Sequence, residues 1–92
     1  MHDSEFEIKL AQIATFDEFK AFLNGTFLCH EAQVALVRRG NNNLLREYAS
    51  RFVMCEEAQV ALAEMRNKEI LLLYVKKYKL CQKATETLIK IL

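Results

Sequence analysis

Three cysteines, and the histidine beside the first of them, are the residues best suited to chemistry in this chain. Cys29, Cys55 and Cys81 recur at intervals of 26 residues, and His30 follows Cys29 directly. A thiol next to an imidazole is the arrangement that activates a cysteine nucleophile. Adjacent residues on a helix do not face each other, so we do not expect Cys29 and His30 to act together. We predict small, semi-buried free thiols, with redox sensing as the alternative use.

No other arrangement of residues matches a known chemistry. The cysteine spacing lacks the close pairs of a zinc motif, and equivalent thiols in stacked helical units should lie roughly 10 Å apart, too far for a disulfide. The repeated carboxylates Glu31 and Glu57 fall in first turns of predicted helices, where the helix dipole favours negative charge. The sequence has no glycine-rich phosphate loop and no Ser-His-Asp set. We therefore predict a protein that is not an enzyme and that needs no cofactor or metal.

The composition indicates a folded, helical protein of one domain. Hydrophobic residues make up 52% and charged residues 27% of the 92 residues, a mixture unlike that of disordered chains. Proline is absent and glycine occurs twice, which favours uninterrupted helices. The net charge of +1 implies neither a polyanion nor a membrane partner. An acidic N-terminus without a long apolar run predicts a cytoplasmic protein.

A 26-residue repeat organises the chain. Residues 31–36 (Glu-Ala-Gln-Val-Ala-Leu) recur letter for letter as residues 57–62. Such a period is typical of repeat proteins, in which each unit buries its apolar face against its neighbours. Three columns of equivalent residues stay apolar through four units: Phe6, Ala32, Ala58 and Ala84; Leu10, Leu36, Leu62 and Leu88; and Ala11, Val37, Ala63 and Ile89.

Each unit predicts two helices, A and B, from apolar spacings of three and four residues. Thr15, Asn41 and Asn67 recur as N-cap residues before helix B, and Thr15 with Glu18 makes a capping box. Gly40 suits the end of a helix A. Helix A is predicted at residues 4–13, 30–39, 56–65 and 82–92, and helix B at residues 16–24, 42–52 and 68–78.

These helices predict an all-α fold, a right- or left-handed α-solenoid of about three and a half helix-turn-helix repeats with seven helices. The single domain spans residues 1–92. Its repeats are predicted at about residues 3–28, 29–54 and 55–80, with a half repeat at 81–92.

One polar column lies between apolar columns of helix A. It contains Glu7, Gln33, Gln59 and Thr85. Two roles suit such a position: a hydrogen bond to a neighbouring loop, or a place in a solvent-facing groove. We favour the structural role.

The loops between helices A and B carry basic and amide residues in two units. Repeat proteins that bind nucleic acid place such loops against phosphates. The equivalent loop of the first unit, residues 13–17, has no basic residue. Nucleic-acid binding is therefore the alternative function, and its candidate surface consists of Arg38, Arg39, Asn42, Asn43, Arg66 and Lys68.

The C-terminal part has apolar residues where the repeat predicts surface. Leu72 replaces Lys20 and Arg46 of earlier units, and residues 70–75 are apolar throughout, the pattern of a helix buried on all sides. Three alternatives would cover this surface: the last helix folds across Leu72 and Leu73, a second chain binds there, or the units belong to a longer array. We favour self-association as a homodimer or other oligomer. Its candidate residues are Leu72, Leu73, Leu88, Ile89, Ile91 and Leu92.

Residues 28–36 (Leu-Cys-His-Glu-Ala-Gln-Val-Ala-Leu), followed by Arg39, Asn41 and Tyr48, resemble a short tandem helical repeat of bacterial proteins without an assigned activity. Units of that repeat have about this length and read Leu-Cys-x-Glu-Ala-Gln-Val-x-Leu before an asparagine-containing turn. The resemblance covers residues 28–81 and implies a bacterial helical-repeat scaffold for host association or protein binding. The order helix, loop, helix is faintly similar to the DNA-reading repeats of transcription-activator-like effectors, whose unit is longer and carries paired specificity residues. Together these features predict a scaffold for protein–protein interaction.

Overall fold

The computed structural model describes residues 4–91, which form seven α-helices and no β-strand. The all-α class and the number of helices are thus confirmed for this part of the chain. Successive A helices begin 26 residues apart, and so do successive B helices. The A helices are α1 (Ser4–Ile13), α3 (His30–Arg39), α5 (Glu56–Glu64) and α7 (Gln82–Ile91), and the B helices are α2 (Phe16–Leu23), α4 (Asn42–Arg51) and α6 (Lys68–Lys77).

Side-chain caps fix where the B helices begin. The Thr15 hydroxyl accepts a hydrogen bond from the Glu18 N–H at 3.2 Å, and the Glu18 carboxylate accepts one from the Thr15 N–H at 2.9 Å. The Asn41 and Asn67 side chains accept hydrogen bonds from N–H groups in the first turns of α4 and α6. These bonds satisfy donors that a helix start would otherwise leave without partners. The predicted N-cap column is confirmed in all three units.

The turns after α3 and α5 both use a left-handed residue. Gly40 ends α3 with φ of 75°, as predicted for a C-cap glycine. Arg66, 26 residues later, has φ of 55°. A side chain in this conformation costs about 1 kcal/mol, so the third unit carries strain that glycine spares the second.

The helices pack in two rows. In the A row, α1 contacts α3, α3 contacts α5 and α5 contacts α7, while in the B row α2 contacts α4 and α4 contacts α6. Contacts of α3 with α4 and of α5 with α6 join the rows. Between the rows lie apolar side chains from equivalent positions of successive units, including Phe19, Leu36, Leu45, Tyr48, Leu62 and Tyr74, all fully buried.

Helix α6 is buried on one side only within the described part of the chain. The apolar run indicated a helix buried on all sides, but only one side is buried, through Ile70, Leu71 and Tyr74. Leu72 is 63% exposed and Val75 is 47% exposed. Within the described residues α6 contacts α4 and α5, and no described helix covers its other side. Burial of that side by a second chain, which the sequence favours, stays a prediction.

None of the helices within residues 4–91 combines the length and the hydropathy of a bilayer-crossing segment.

Candidate functional site

Gln33 and Gln59 join successive units. The Gln33 side chain donates a hydrogen bond to the Leu28 carbonyl at 2.9 Å and accepts one from the Cys55 N–H at 2.7 Å. Gln59 makes the same two bonds one unit later, at 2.8 and 2.7 Å. Both side chains are buried. We call Gln33 and Gln59 the bridging glutamines, and their role is the structural one that the sequence analysis favoured.

The same column changes at the two ends of the described chain. Buried Glu7 accepts a hydrogen bond from the Cys29 N–H at 2.6 Å, so a carboxylate bridges the first two units. Exposed Thr85 instead donates to the Cys81 carbonyl of its own helix at 3.1 Å. The column therefore bridges units at three junctions and acts locally in α7.

The backbone N–H groups of the three cysteines are the donors in these hydrogen bonds between units. Cys29 and Cys55 are the N-cap residues of α3 and α5, and neither thiol makes a capping hydrogen bond. All three cysteines are free thiols, as predicted, and half-buried. Burial raises the pKa of the Cys55 thiol, which opposes the thiolate that a nucleophile requires.

Charged side chains also meet across units at the starts of the A helices. The Lys83 ammonium lies 3.3 Å from the Glu56 carboxylate, and the His30 imidazole nitrogen Nδ1 lies 3.9 Å from the Glu57 carboxylate. The backbone N–H of Glu57 lowers the pKa of its own carboxyl, with smaller contributions from Cys55 and His30. Negative charge at this helix start is thus favoured, as the dipole argument predicts.

The candidate loop surface is partly occupied by internal contacts. Arg39 donates to the Ala11 carbonyl at 3.2 Å, and Asn42 accepts a hydrogen bond from the Asn67 amide at 2.8 Å. Asn43 hydrogen-bonds Arg46. Two of the six predicted residues, Arg39 and Asn42, therefore bond a neighbouring unit, whereas Asn43 bonds within its own helix.

The other three loop residues, Arg38, Arg66 and Lys68, are exposed but lie in two separate places. Arg38 lines a shallow cleft of about 250 Å³ that also contains carboxylates of α5. Arg66 and Lys68 border a cleft of about 290 Å³ beside Leu88 and Ile91. Arg38 therefore shares its cleft with carboxylates, whereas Arg66 and Lys68 share theirs with apolar side chains.

The most distinctive surface lies at the end of both rows. Ile89 is 67% exposed, whereas its equivalents Ala11, Val37 and Ala63 are completely buried. Each of those equivalents lies on an A helix that is followed by another A helix in the row. The exposure of Ile89 therefore marks the side of α7 on which a further helix would pack.

Helix α6 shows the same change in the B row. Val75 is 47% exposed, while Leu23 and Ala49 at equivalent positions are buried. Leu72 is the equivalent of Arg46, which forms an ion pair with Glu69 on the next B helix. We define Leu72, Val75 and Ile89 as the C-terminal face.

The predicted self-association residues divide into three groups. Leu72 and Ile89 are exposed, but Leu73 and Leu88 pack against the core and Ile91 is half-buried. Leu92 lies outside the described residues. Because α7 packs on α5 and Leu72 remains exposed, the alternative that the last helix covers Leu72 is wrong. The sequence analysis missed Val75, which its repeat column with Leu23 and Ala49 could have revealed.

The opposite end of the rows is more polar in the B row. Glu18 is exposed where Leu44 and Ile70 are completely buried. Its carboxylate caps α2 and therefore has a structural use at this position. In the A row Phe6 is 53% exposed and contacts the Phe22 ring at 6.1 Å between centroids.

No protein-family model, no curated protein and no solved structure matches this chain. The resemblance of residues 28–81 to bacterial helical repeats therefore stays a prediction.

Proposed function

We propose that the protein is a non-catalytic helical-repeat scaffold for protein–protein interaction, and that a second copy of the chain binds its C-terminal face. The observation that carries this proposal is the exposure of Ile89, at 67%, in a column that is otherwise completely buried. An exposed apolar group at a position built for packing favours association, because contact removes its surface from water.

An α-solenoid is the architecture that best accounts for the contacts. Each A helix packs on the A helix of the next unit and each B helix on the next B helix. Four helices stacked at 8–10 Å would span roughly 30–35 Å, close to the longest extent of 35 Å. In a solenoid each unit packs on the next, and no described helix follows α6 or α7 in its row.

The C-terminal face also lacks the charges found between inner units. Arg46 of α4 pairs with Glu69 of α6, but its equivalent is Leu72. Glu56 pairs with Lys83, but its equivalent is the neutral Gln82. A surface exposed to water would gain solubility from charge at these positions. The neutral and apolar residues at these positions are better suited to contact with a protein partner.

Two C-terminal faces fit each other better than a C-terminal face fits an N-terminal end. In a head-to-tail stack, Glu18 would enter the contact where Leu44 and Ile70 lie between inner units. Burying a carboxylate without a cationic partner is costly. Pairing two C-terminal faces avoids this cost and gives a closed dimer with twofold symmetry.

Light scattering of the intact protein from micromolar to millimolar concentration tests this function. We expect the mass to rise from one chain to two and then to stay constant. Ile89→Asp should keep the mass at one chain, because dimerisation would bury the new carboxylate. Ile13→Asp is the matched control and should dimerise normally, since Ile13 is 74% exposed on α1, at the opposite end of the A row.

Three results would contradict the dimer: a wild-type mass that never rises, equal loss of dimer in both variants, or growth beyond two chains. The nucleic-acid alternative has less support, because Arg38 shares its cleft with carboxylates of α5 and because Arg39 and Asn42 form hydrogen bonds within the fold. Binding of DNA or RNA that weakens steeply with salt and with Arg38→Ala would favour it.

A further inference from the structure

The junction between α3 and α5 brings together three side chains that can bind a metal. One ligand atom each from His30, Cys55 and Glu57 lies within 4.8 Å of the other two. They supply an imidazole nitrogen, a thiol sulfur and a carboxylate oxygen, the donor types that proteins use for Zn²⁺. We propose that these three residues form a site for a divalent cation of the Zn²⁺ class, linking the second and third units.

The local geometry suits such a site. In a tetrahedral zinc site neighbouring ligand atoms are about 3.3–3.8 Å apart, so the three side chains would need to close by about 1 Å. His30 and Glu57 are exposed and can make this adjustment by rotating their side chains. The Cys55 backbone is already held, because its N–H donates to Gln33 of α3 at 2.7 Å. Gln33 thus fixes the Cys55 main chain relative to the helix that carries His30.

Binding would convert the Cys55 thiol to a thiolate and release its proton to solvent. Three protein ligands leave a fourth position for water or for a group from a partner. From the sequence no metal site was expected, because the cysteine spacing lacks the close pairs of a zinc motif and His30 was considered only with its neighbour Cys29. The relevant thiol belongs to the next unit and is placed by packing, 25 residues along the chain.

The repeat supplies two natural comparisons. At the next junction the equivalent residues are Glu56, Cys81 and Lys83, where an ammonium occupies the carboxylate position and forms an ion pair with Glu56 at 3.3 Å. At the preceding junction they are Ser4, Cys29 and Glu31, with a weakly ligating hydroxyl in place of imidazole. Only the junction of α3 with α5 has three good ligands among these three sets.

Titration of the reduced full chain with Co²⁺ tests the site, because a thiolate ligand gives a charge-transfer band. We expect one ion per chain, loss of the band in Cys55→Ser, and dissociation constants raised about tenfold or more in His30→Ala and Glu57→Gln. Cys29→Ser and Cys81→Ser are the matched controls and should bind as the wild type does. Ile89→Asp should also bind normally, which separates this proposal from the dimer.

The double variant Glu56→His/Lys83→Glu provides a gain-of-binding test. It recreates the ligand set around Cys81 and should raise the stoichiometry to two ions per chain. The proposal is overturned if the wild type gives no thiolate band, if Cys81→Ser weakens binding as much as Cys55→Ser does, or if the double variant still binds one ion.

Discussion

Residues of the same repeat columns occur at the junction between α3 and α5 and at the C-terminal end of the rows. At the junction they are buried or bond the next unit, whereas at the C-terminal end they are exposed or bond only within their own helix. Val37 is completely buried at the junction, whereas Ile89 in its column is mostly exposed. Gln33 bridges two units, whereas Thr85 bonds only within its own helix. The burial and the hydrogen bonds of a residue in these columns therefore depend on whether a helix of another unit packs against it. Substitutions at paired positions should therefore have unequal effects.

The bridging glutamines should show the largest difference. Gln59→Ala removes one buried and one part-buried hydrogen bond and leaves the Met54 carbonyl and the Cys81 N–H without that partner. We expect a loss of about 2–3 kcal/mol in the free energy of unfolding, measured by urea denaturation. Thr85→Ala should cost under about 0.5 kcal/mol, because Thr85 is exposed. Equal losses of unfolding free energy in the two variants would contradict the claim that this column is more important between units than in α7.

The apolar column should show the next largest difference. Val37→Ala removes two buried methyl groups and should lower the free energy of unfolding by about 2 kcal/mol. Ile89→Ala should change the stability of the monomer by less than about 0.5 kcal/mol. Denaturation at a concentration below dimer formation measures both. A large loss for Ile89→Ala at that concentration would mean that α7 is covered within one chain.

Two buried tyrosines sharpen the comparison within the B row. The Tyr74 hydroxyl accepts a hydrogen bond from the Met54 N–H at 3.1 Å, whereas the Tyr48 hydroxyl has no hydrogen-bond partner among residues 4–91. Burial raises the pKa of both phenols. For Tyr48 the nearby Leu28 N–H offsets part of this rise in pKa, although it does not reach hydrogen-bond geometry.

We therefore expect Tyr74→Phe to cost about 1 kcal/mol, because it leaves a buried N–H without a partner. Tyr48→Phe should be neutral within about 0.5 kcal/mol, because it removes only an unsatisfied hydroxyl. Thermal unfolding of the two variants provides the check. A larger cost for Tyr48→Phe would show that its hydroxyl is bonded in solution.

The left-handed turns should give the smallest effects and opposite signs. Gly40→Ala should cost about 1 kcal/mol through backbone strain alone, since no atom lies within 4 Å of the added Cβ. Arg66→Gly should stabilise the protein by about 0.5 kcal/mol by relieving the same strain. Urea denaturation can resolve both changes. Destabilisation by Arg66→Gly would show that the arginine side chain contributes contacts that outweigh its strain.

Much of the local structure could be predicted because its causes lie within a few residues. Capping by Thr15, Asn41 and Asn67, and the turn at Gly40, depend on neighbours in the sequence and were confirmed. The period then gave the start of every helix. The apolar run of α6 could not show which of its sides another helix of the chain covers, because that depends on how the units pack.

The surfaces were harder to predict because they depend on contacts between units. Arg39 and Asn42 looked like free loop residues, but each bonds a residue about one period away. The proximity of His30 to Cys55 and the exposure of Val75 have the same origin. A helical period tells which residues share a face, but the packing of units determines what that face meets.

The bridging glutamines give the chain a direction and couple its units. In each bridge the earlier unit supplies the side chain and the later unit supplies the main-chain N–H at its cysteine. That amide can exchange its hydrogen with solvent only when the bridge opens. Hydrogen exchange at Cys55 and Cys81 therefore reports separately on the opening of two neighbouring junctions. Equal exchange rates would mean that the units unfold as one cooperative body, and unequal rates would identify the weaker junction.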